Sequence, residues 1–498
     1  MSPPPLTEEV PVPTQPPATE GLIAAEDVLL FVNAAITATG QREFHSEAYE
    51  QRLSLDFLHA YLLGNYRELY AATLALDIND HNAALIIRRL LESASEASAE
   101  QRSAEGALIA RRLVLLPPQR VYGLFAALRR ARVNNRRTRA IIRDWLATRP
   151  DPAFDAVKYR AGVKTAVRHA HLRLPEAELG PFLFAPHTRP RYDTPLLETW
   201  RRAHYERKAV YDLPFTVAEG FAARHAIPRA AFLDHIAPRM TGLERLRLQE
   251  SARQADATAV RTGLTRMRLT RLASYVLGLP LDERAARRAE LTGALRTAAR
   301  HAAGPATGTW GRVSAVLDDS HSTNASGHKR RRPLAVALAA HHLLEALAAT
   351  YIPLWASGRK DALLTFPYGP TPLGTRILDA LETAPDRLVI ISDGWDNAPP
   401  GLAAEVLRVW RTRLDPAGRT AIVHLNPVYD ADGFDVRRLA PGVPTAGIRD
   451  AEDLPSLTEL AAFATGRTGL PELRAHLATR IAAFLAPQES AARKEAAR

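Results

Sequence analysis

Apolar residues recur at three- and four-residue spacing through residues 55–72, 107–115, 121–130 and 137–146, which predicts amphipathic helices there. From residue 21 to about residue 306 this period dominates, and strand-like alternation is nearly absent. Short connections rich in Pro, Asn and Asp, such as LDINDHN at 76–82 and TRPDPAF at 148–154, punctuate it. Many helices of modest length, without a sustained heptad, predict stacked antiparallel pairs of the helical-repeat kind.

The pattern changes near residue 307. Short β-rich runs at 313–317, 362–366, 388–392 and 421–425 alternate with helical stretches at 334–350, 375–383 and 402–412. Such alternation predicts a doubly wound α/β unit with a mostly parallel sheet, whose ligands sit at the carboxyl ends of the strands. A final amphipathic helix is expected over 471–485. The predicted organisation is therefore a tail at 1–20 holding seven prolines, a helical region at 21–306, an α/β domain at 307–487 and a flexible tail at 488–498.

Composition narrows the class. The chain has 498 residues, 46% hydrophobic and 24% charged, enough apolar content for a sizeable core. The absence of cysteine removes disulfides, thiolate metal sites and cysteine nucleophiles, and fits a cytoplasmic protein. No apolar run approaches the ~18 residues of a membrane span, and the N-terminus does not read as a secretory signal. Charge adds more. Residues 111–210 hold 22 Lys or Arg against 8 Asp or Glu, a balance of +14 against +11 for the whole chain. One segment thus owns the excess, which points to a polyanionic partner. Within it Arg129, Arg130, Arg132, Arg136, Arg137, Arg139 and Arg143 cluster around a helix–turn–helix, with Asp144 the adjoining acid.

The strand at 313–317 runs into Asp318-Asp319-Ser320-His321-Ser322, and the strand at 388–392 runs into Asp393-Gly394. Between them, YGPTPLGTRILDAL offers Thr375 or Thr371 at the start of a helix. Two carboxylates and three hydroxyls from three strand-end loops form an all-oxygen donor set suited to Mg²⁺. Asp318, Ser320, Ser322, a threonine and Asp393, in that order, resemble the metal-ion-dependent adhesion site of von Willebrand factor A domains. Thr375, after Gly374, fits that pattern best. The adjacent His341 and His342 lie on an Ala/Leu-rich helix and read as core-edge residues rather than ligands. The run HKRRR at 328–332 reads equally as solvated charge or as a phosphate contact.

A long helical region followed by an A domain with this motif resembles the Ro autoantigen family, RNA-binding proteins with a TROVE module. The stretch Phe154-Asp155-Ala156-Val157-Lys158-Tyr159-Arg160, followed by Lys164, Arg168 and His171-Leu172-Arg173, is similar to that family's A-V-K-Y-R and H-K-D-L-L-R segment. Residues 218–248 echo its later helices more weakly. Ala161-Gly162-Val163 stands where the family has Trp-Ser-His, and Ser392-Asp393-Gly394 replaces its Thr-Asp-Asn. The resemblance implies a ring of HEAT-like repeats closed by the A domain. It also implies structured Y-like RNA on the basic outer surface and single-stranded RNA 3′ ends in the hole.

The expected function is a non-catalytic, monomeric RNA-binding protein. Its RNA contacts are expected at Arg132, Arg136, Arg137, Arg139, Lys158, Tyr159, Arg160, Lys164, Arg168, His171 and Arg173, and its metal at Asp318, Ser320, Ser322, Thr375 and Asp393. The alternative is an adaptor whose metal grips an acidic residue of a partner protein. An enzyme is not expected: the chain has no G-x-S-x-G, no P-loop and no H-E-x-x-H.

Overall fold

The computed structural model describes residues 19–174, 176–242, 244–248, 263–264, 267–327, 329–463 and 469–486. The expected tail at 488–498 and residues 1–18 of the other lie outside the described residues; the first helix, Thr19–Thr37, takes the last two residues of that stretch. Among the described residues no strand precedes Arg312. The long helix expected over 55–72 is two, Ala48–Asn65 and Arg67–Ala72, broken at Tyr66, whose φ of −138° and ψ of 51° leave the helical region. Helices Pro118–Arg130 and Arg160–Ala170 approach closely at Gly162. A Cβ there would lie 2.6 Å from Cβ of Tyr122, so the residue must be glycine for the two to meet.

The second part is α/β. Strands β1 (Arg312–Leu317), β2 (Thr350–Trp355), β3 (Arg387–Ile391), β4 (Ala421–Asn426) and β7 (Thr445–Gly447) form one parallel sheet in the order β2-β1-β3-β4-β7. Two-residue strands β5 (Tyr429–Asp430) and β6 (Asp435–Val436) pair antiparallel beside it. Alternate side chains of β1 enter different cores. Val313, Ala315 and Leu317 pack with helix Arg332–Leu347, and Val316 with helices Leu373–Glu382 and Leu402–Val409. Both faces of the central strands are covered, which is why β1, β3 and β4 are rich in Val, Ile and Leu.

One expectation fails here. The second strand is Thr350–Trp355, not 362–366; it follows a helix that ends at Leu347, and residues 362–364 are a single 3-10 turn. Pro353 disguises β2, and an edge position tolerates it because the missing N–H faces no partner strand. The last helix, Leu470–Leu485, packs on the N-terminal helices: Leu473 and Leu477 are buried, Arg480 pairs with Asp77 at 2.9 Å, and Arg111 donates to the Phe484 carbonyl at 3.1 Å.

Both ends of the helical region rest on the α/β unit. At one end Asn33 Nδ2 donates to Asp435 Oδ1 at 2.8 Å, and Gly447 N donates to Asn33 Oδ1 at 2.9 Å. At the other, helices Leu269–Gly278 and Arg288–Ala303 pack on helix Arg332–Leu347, with Arg296 paired to Glu345 at 2.8 Å. The chain path thereby closes on itself. Among the described residues no helix is long and apolar enough to cross a membrane.

Candidate metal site and basic surface

Strand order reverses at β1, so a crevice opens between the carboxyl ends of β1 and β3. Asp318 and Asp393 sit there, both buried. Asp318 N donates to the Ile391 carbonyl at 2.9 Å, which ties the first loop to the end of β3. Asp318 Oδ1 accepts from Ser320 N at 2.8 Å, whereas its buried Oδ2 has no hydrogen-bond partner. The Ser320 and Ser322 hydroxyls lie 3.1 Å apart. Asp393 Oδ1 accepts from Trp395 N at 3.0 Å. Burial, joined by the nearby Asp393 charge, pushes the Asp318 carboxyl well above the ordinary aspartate range. Two buried carboxylates facing each other with an orphaned oxygen are the environment a divalent cation relieves. The donor set fits such an ion.

The two candidate threonines differ in burial. Thr371 is 2% exposed, on a loop bound to both neighbours: Thr371 N donates to Asn397 Oδ1 at 2.8 Å, and His321 N to the Gly369 carbonyl at 3.0 Å. Thr375 is exposed, already inside helix Leu373–Glu382. Asp318, Ser320, Ser322 and Asp393 thus lie at adjoining strand ends, with Thr371 buried on a loop tied to both, while Thr375 is exposed within its helix. Asp319 turns away and accepts from Ser357 N at 2.8 Å and Ser357 Oγ at 2.6 Å. Gly394 has φ +80°, and a Cβ there would meet the Arg437 carbonyl at 2.6 Å, so the turn that presents Asp393 requires glycine. His45, which sequence reasoning passed over, reaches the crevice from the loop before helix Ala48–Asn65, with Nε2 3.8 Å from Asp393 Oδ2. No sequence signal marks it, because the approach is made by a segment some 350 positions distant.

A second cluster, His341, His342 and Glu345, lies within metal-ligand reach of one another. Glu345 already holds Arg296 through both oxygens, and His341 Nδ1 lies 3.1 Å from the Tyr351 hydroxyl, so this group reads as structural.

The basic segment divides. Arg137 donates to Glu105 and to the Arg102 carbonyl. Lys158 pairs with Glu244 at 3.2 Å. Arg160 donates to the Phe182 and Leu183 carbonyls and lies 4.9 Å over the Trp200 ring. Tyr159 packs against Tyr122 at 5.6 Å. These four hold helices together and do not join the outer group. The outer group comes from three helix ends. Arg129, Arg130 and Arg132 close helix Pro118–Arg130; Arg136 and Arg139 open helix Arg136–Ala147; Arg168, His171 and Arg173 close helix Arg160–Ala170. His169 Nε2 donates to the Val133 carbonyl at 2.9 Å and pins the last end to the turn between the other two. All eight are exposed, and among the described residues no carboxylate pairs with them. Arg136 and Arg139 sit in the first turn of a helix, where the dipole disfavours cations, a cost that a bound anion removes. Lys164 and Arg168 flank the exposed ring of Phe184 at 5.8 and 4.9 Å, an aromatic platform that lay outside the expected set.

Three cavities adjoin, of 690, 610 and 770 Å³, the first lined in part by Arg130. Asp80, His81 and Arg120 line both the first and second; Ser274, Gly327 and Arg330 line both the second and third. Arg330 and Lys329 come from the HKRRR run, of which His328 lies outside the described residues. No protein-family model matches the chain, and no curated protein does either.

Proposed function

We propose that the protein is a non-catalytic RNA-binding protein: HEAT-like helices in a TROVE-like ring, closed by a von Willebrand A-type domain with a Mg²⁺-class site. Its ligands are small structured, Y-like RNA on the outer basic surface and single-stranded 3′ ends entering the cavities. The observation that carries this reading is the convergence of seven arginines and His171 from three helix ends, without carboxylate partners among the described residues. Guanidinium groups contact phosphates and stack on bases, and the Phe184 ring between Lys164 and Arg168 gives an unpaired base a surface. The bound ion would be held by Asp318, Ser320, Ser322, Thr371 and Asp393, and would neutralise the two buried carboxylates.

The adaptor alternative requires the metal face to be open to a partner's acid. Phe44 and His45 of the chain itself lie across it, which favours the RNA reading. Fluorescence anisotropy with a 3′-tailed hairpin RNA, and with polyglutamate as an acidic polypeptide, separates the two. RNA binding that weakens steeply with salt, in excess over polyglutamate, is expected. Equal binding of both, or binding of polyglutamate alone, would overturn the proposal.

A further inference from the structure

The run HKRRR at 328–332 leads from the loop after Ser322 into helix Arg332–Leu347, and three of its cations are engaged. Lys329 pairs with the buried Glu43, Arg331 Nη1 donates to the Leu277 carbonyl at 2.5 Å, and Arg332 Nη2 donates to the Arg449 carbonyl at 2.9 Å. Arg330 is exposed and among the described residues has no partner. Backbone bonds set the path of the loop: Lys329 N donates to the Ser326 carbonyl at 3.1 Å and Arg331 N to the Asn324 carbonyl at 2.9 Å, with Ala325 and Arg331 at φ +55° and +54°. Arg330 is held between these anchors, where it lines both the 610 and the 770 Å³ cavity.

The larger cavity has two unlike walls. Leu277 and Pro280, from the end of helix Leu269–Gly278, supply an apolar one; Asn324, Ser326, Arg330 and Arg331 supply a polar one. None of the described residues that line it is a carboxylate. A third guanidinium shares the Leu277 carbonyl with Arg331. Arg284, 2% exposed, donates to it at 3.3 Å and also to the carbonyls of Leu279, Leu363 and Thr365, and among the described residues it meets no carboxylate. Burial, with Arg331 beside it, pushes Arg284 down to about 10. Three arginines gathered at one cavity without a counter-charge repel one another, and a bound dianion relieves that repulsion. The planar fork of arginine matches phosphate oxygens two at a time. A phosphate monoester carries about −1.5 to −2 at neutral pH, more than the single charge of a diester. The 770 Å³ volume falls within the range of about 300–1,000 Å³ usual for small-molecule sites, which leaves room for a nucleoside beside the phosphate.

We propose that this cavity binds a phosphate monoester carried on a nucleoside, with Arg330 and Arg331 on the phosphate, Asn324 and Ser326 on its oxygens or the sugar, and the base against Leu277 and Pro280. A free mononucleotide and a phosphorylated RNA end present the same group. One wall belongs to the helical region and the other to the α/β unit, so an occupant bridges the two.

The test is calorimetric titration of the full chain with AMP, with the methyl ester of its phosphate and with adenosine. AMP should bind about tenfold or more tighter than the methyl ester, and adenosine more weakly still. Arg330→Ala should lower AMP affinity about tenfold or more with an unchanged melting temperature, and Arg330→Lys should recover part of the loss. Arg271→Ala, at a residue that lines the 610 Å³ cavity and not this one, should leave AMP affinity unchanged. Competition separates the sources. Displacement of AMP by an oligonucleotide bearing a terminal phosphate identifies an RNA end; AMP binding that no such oligonucleotide displaces identifies a free nucleotide. Equal displacement by an oligonucleotide with hydroxyl ends, equal affinity for AMP and its methyl ester, or a loss in Arg271→Ala as large as in Arg330→Ala would overturn the assignment, as would an AMP affinity unchanged in Arg330→Ala. No AMP binding by a wild type that still binds RNA would overturn this site and leave the RNA reading standing.

Discussion

Replacing Arg132, Arg136 and Arg139 together by Ala separates cations that face solvent from those that hold helices. All three are exposed, and among the described residues none pairs with a carboxylate, so unfolding free energy should change by less than about 0.5 kcal/mol. Each phosphate contact on single-stranded RNA contributes about −0.7 to the slope of log K against log salt, so the triple variant should flatten it by about two units. Arg160→Ala should do the reverse. It removes charge-assisted hydrogen bonds to two carbonyls and a cation–aromatic contact at 4.9 Å, which together predict a loss of about 3 kcal/mol in stability. Its salt slope should match wild type. Anisotropy titrations of a 3′-tailed RNA at four or more salt concentrations, beside urea melts of each variant, give both quantities. An unchanged slope in the triple variant would refute the assignment of the RNA surface to the three helix ends. A flattened slope in a fully stable Arg160→Ala would refute its structural role.

Mg²⁺ or Mn²⁺ should raise the melting temperature of wild type, by a stabilisation of about 2.7 kcal/mol at 100 times Kd, and Asp318→Ala should abolish the rise without abolishing RNA binding; a metal-independent melt in wild type would contradict this. Asp155→Ala should destabilise by about 3–5 kcal/mol in urea melts, because it strands the half-buried Arg149 at 2.6 Å and the Tyr122 hydroxyl at 2.8 Å; a change below 1 kcal/mol would show the network to be dispensable. Burial raises Asp435 to about 6, so the native state holds its proton more tightly than the unfolded chain, and stability is lost as pH rises from about 4 through 6. Asp435→Asn should therefore melt above wild type at pH 8, by at most about 3 kcal/mol, with the gap closing by pH 4; a gap independent of pH would remove the Asp435 explanation.

Local sequence determined much of this molecule because local physics decides it. The three-to-four-residue period of residues 21–306 sets an amphipathic stripe, and among the described residues the helices formed where it runs. The Val- and Ile-rich runs before Asp318 and Asp393 could only be strands buried on both faces, and parallel strands put their next residues at one edge. That is why Asp318 and Asp393, read from the sequence as the ends of two buried strands, lie at one edge of the sheet. The threonines were not legible in the same way: Thr371 and Thr375 are one helical turn apart in sequence, and only the tertiary structure buries the first and leaves the second exposed. Charge behaved the same way. Counting located the basic segment but could not distinguish Arg160, engaged by two carbonyls, from Arg168 eight residues on, because partners such as Phe182 and Glu244 arrive from other helices. His45 is the extreme case. Nothing near it in sequence points to the crevice, and its place beside Asp393 exists only because the start of the helical region comes to rest on the α/β unit.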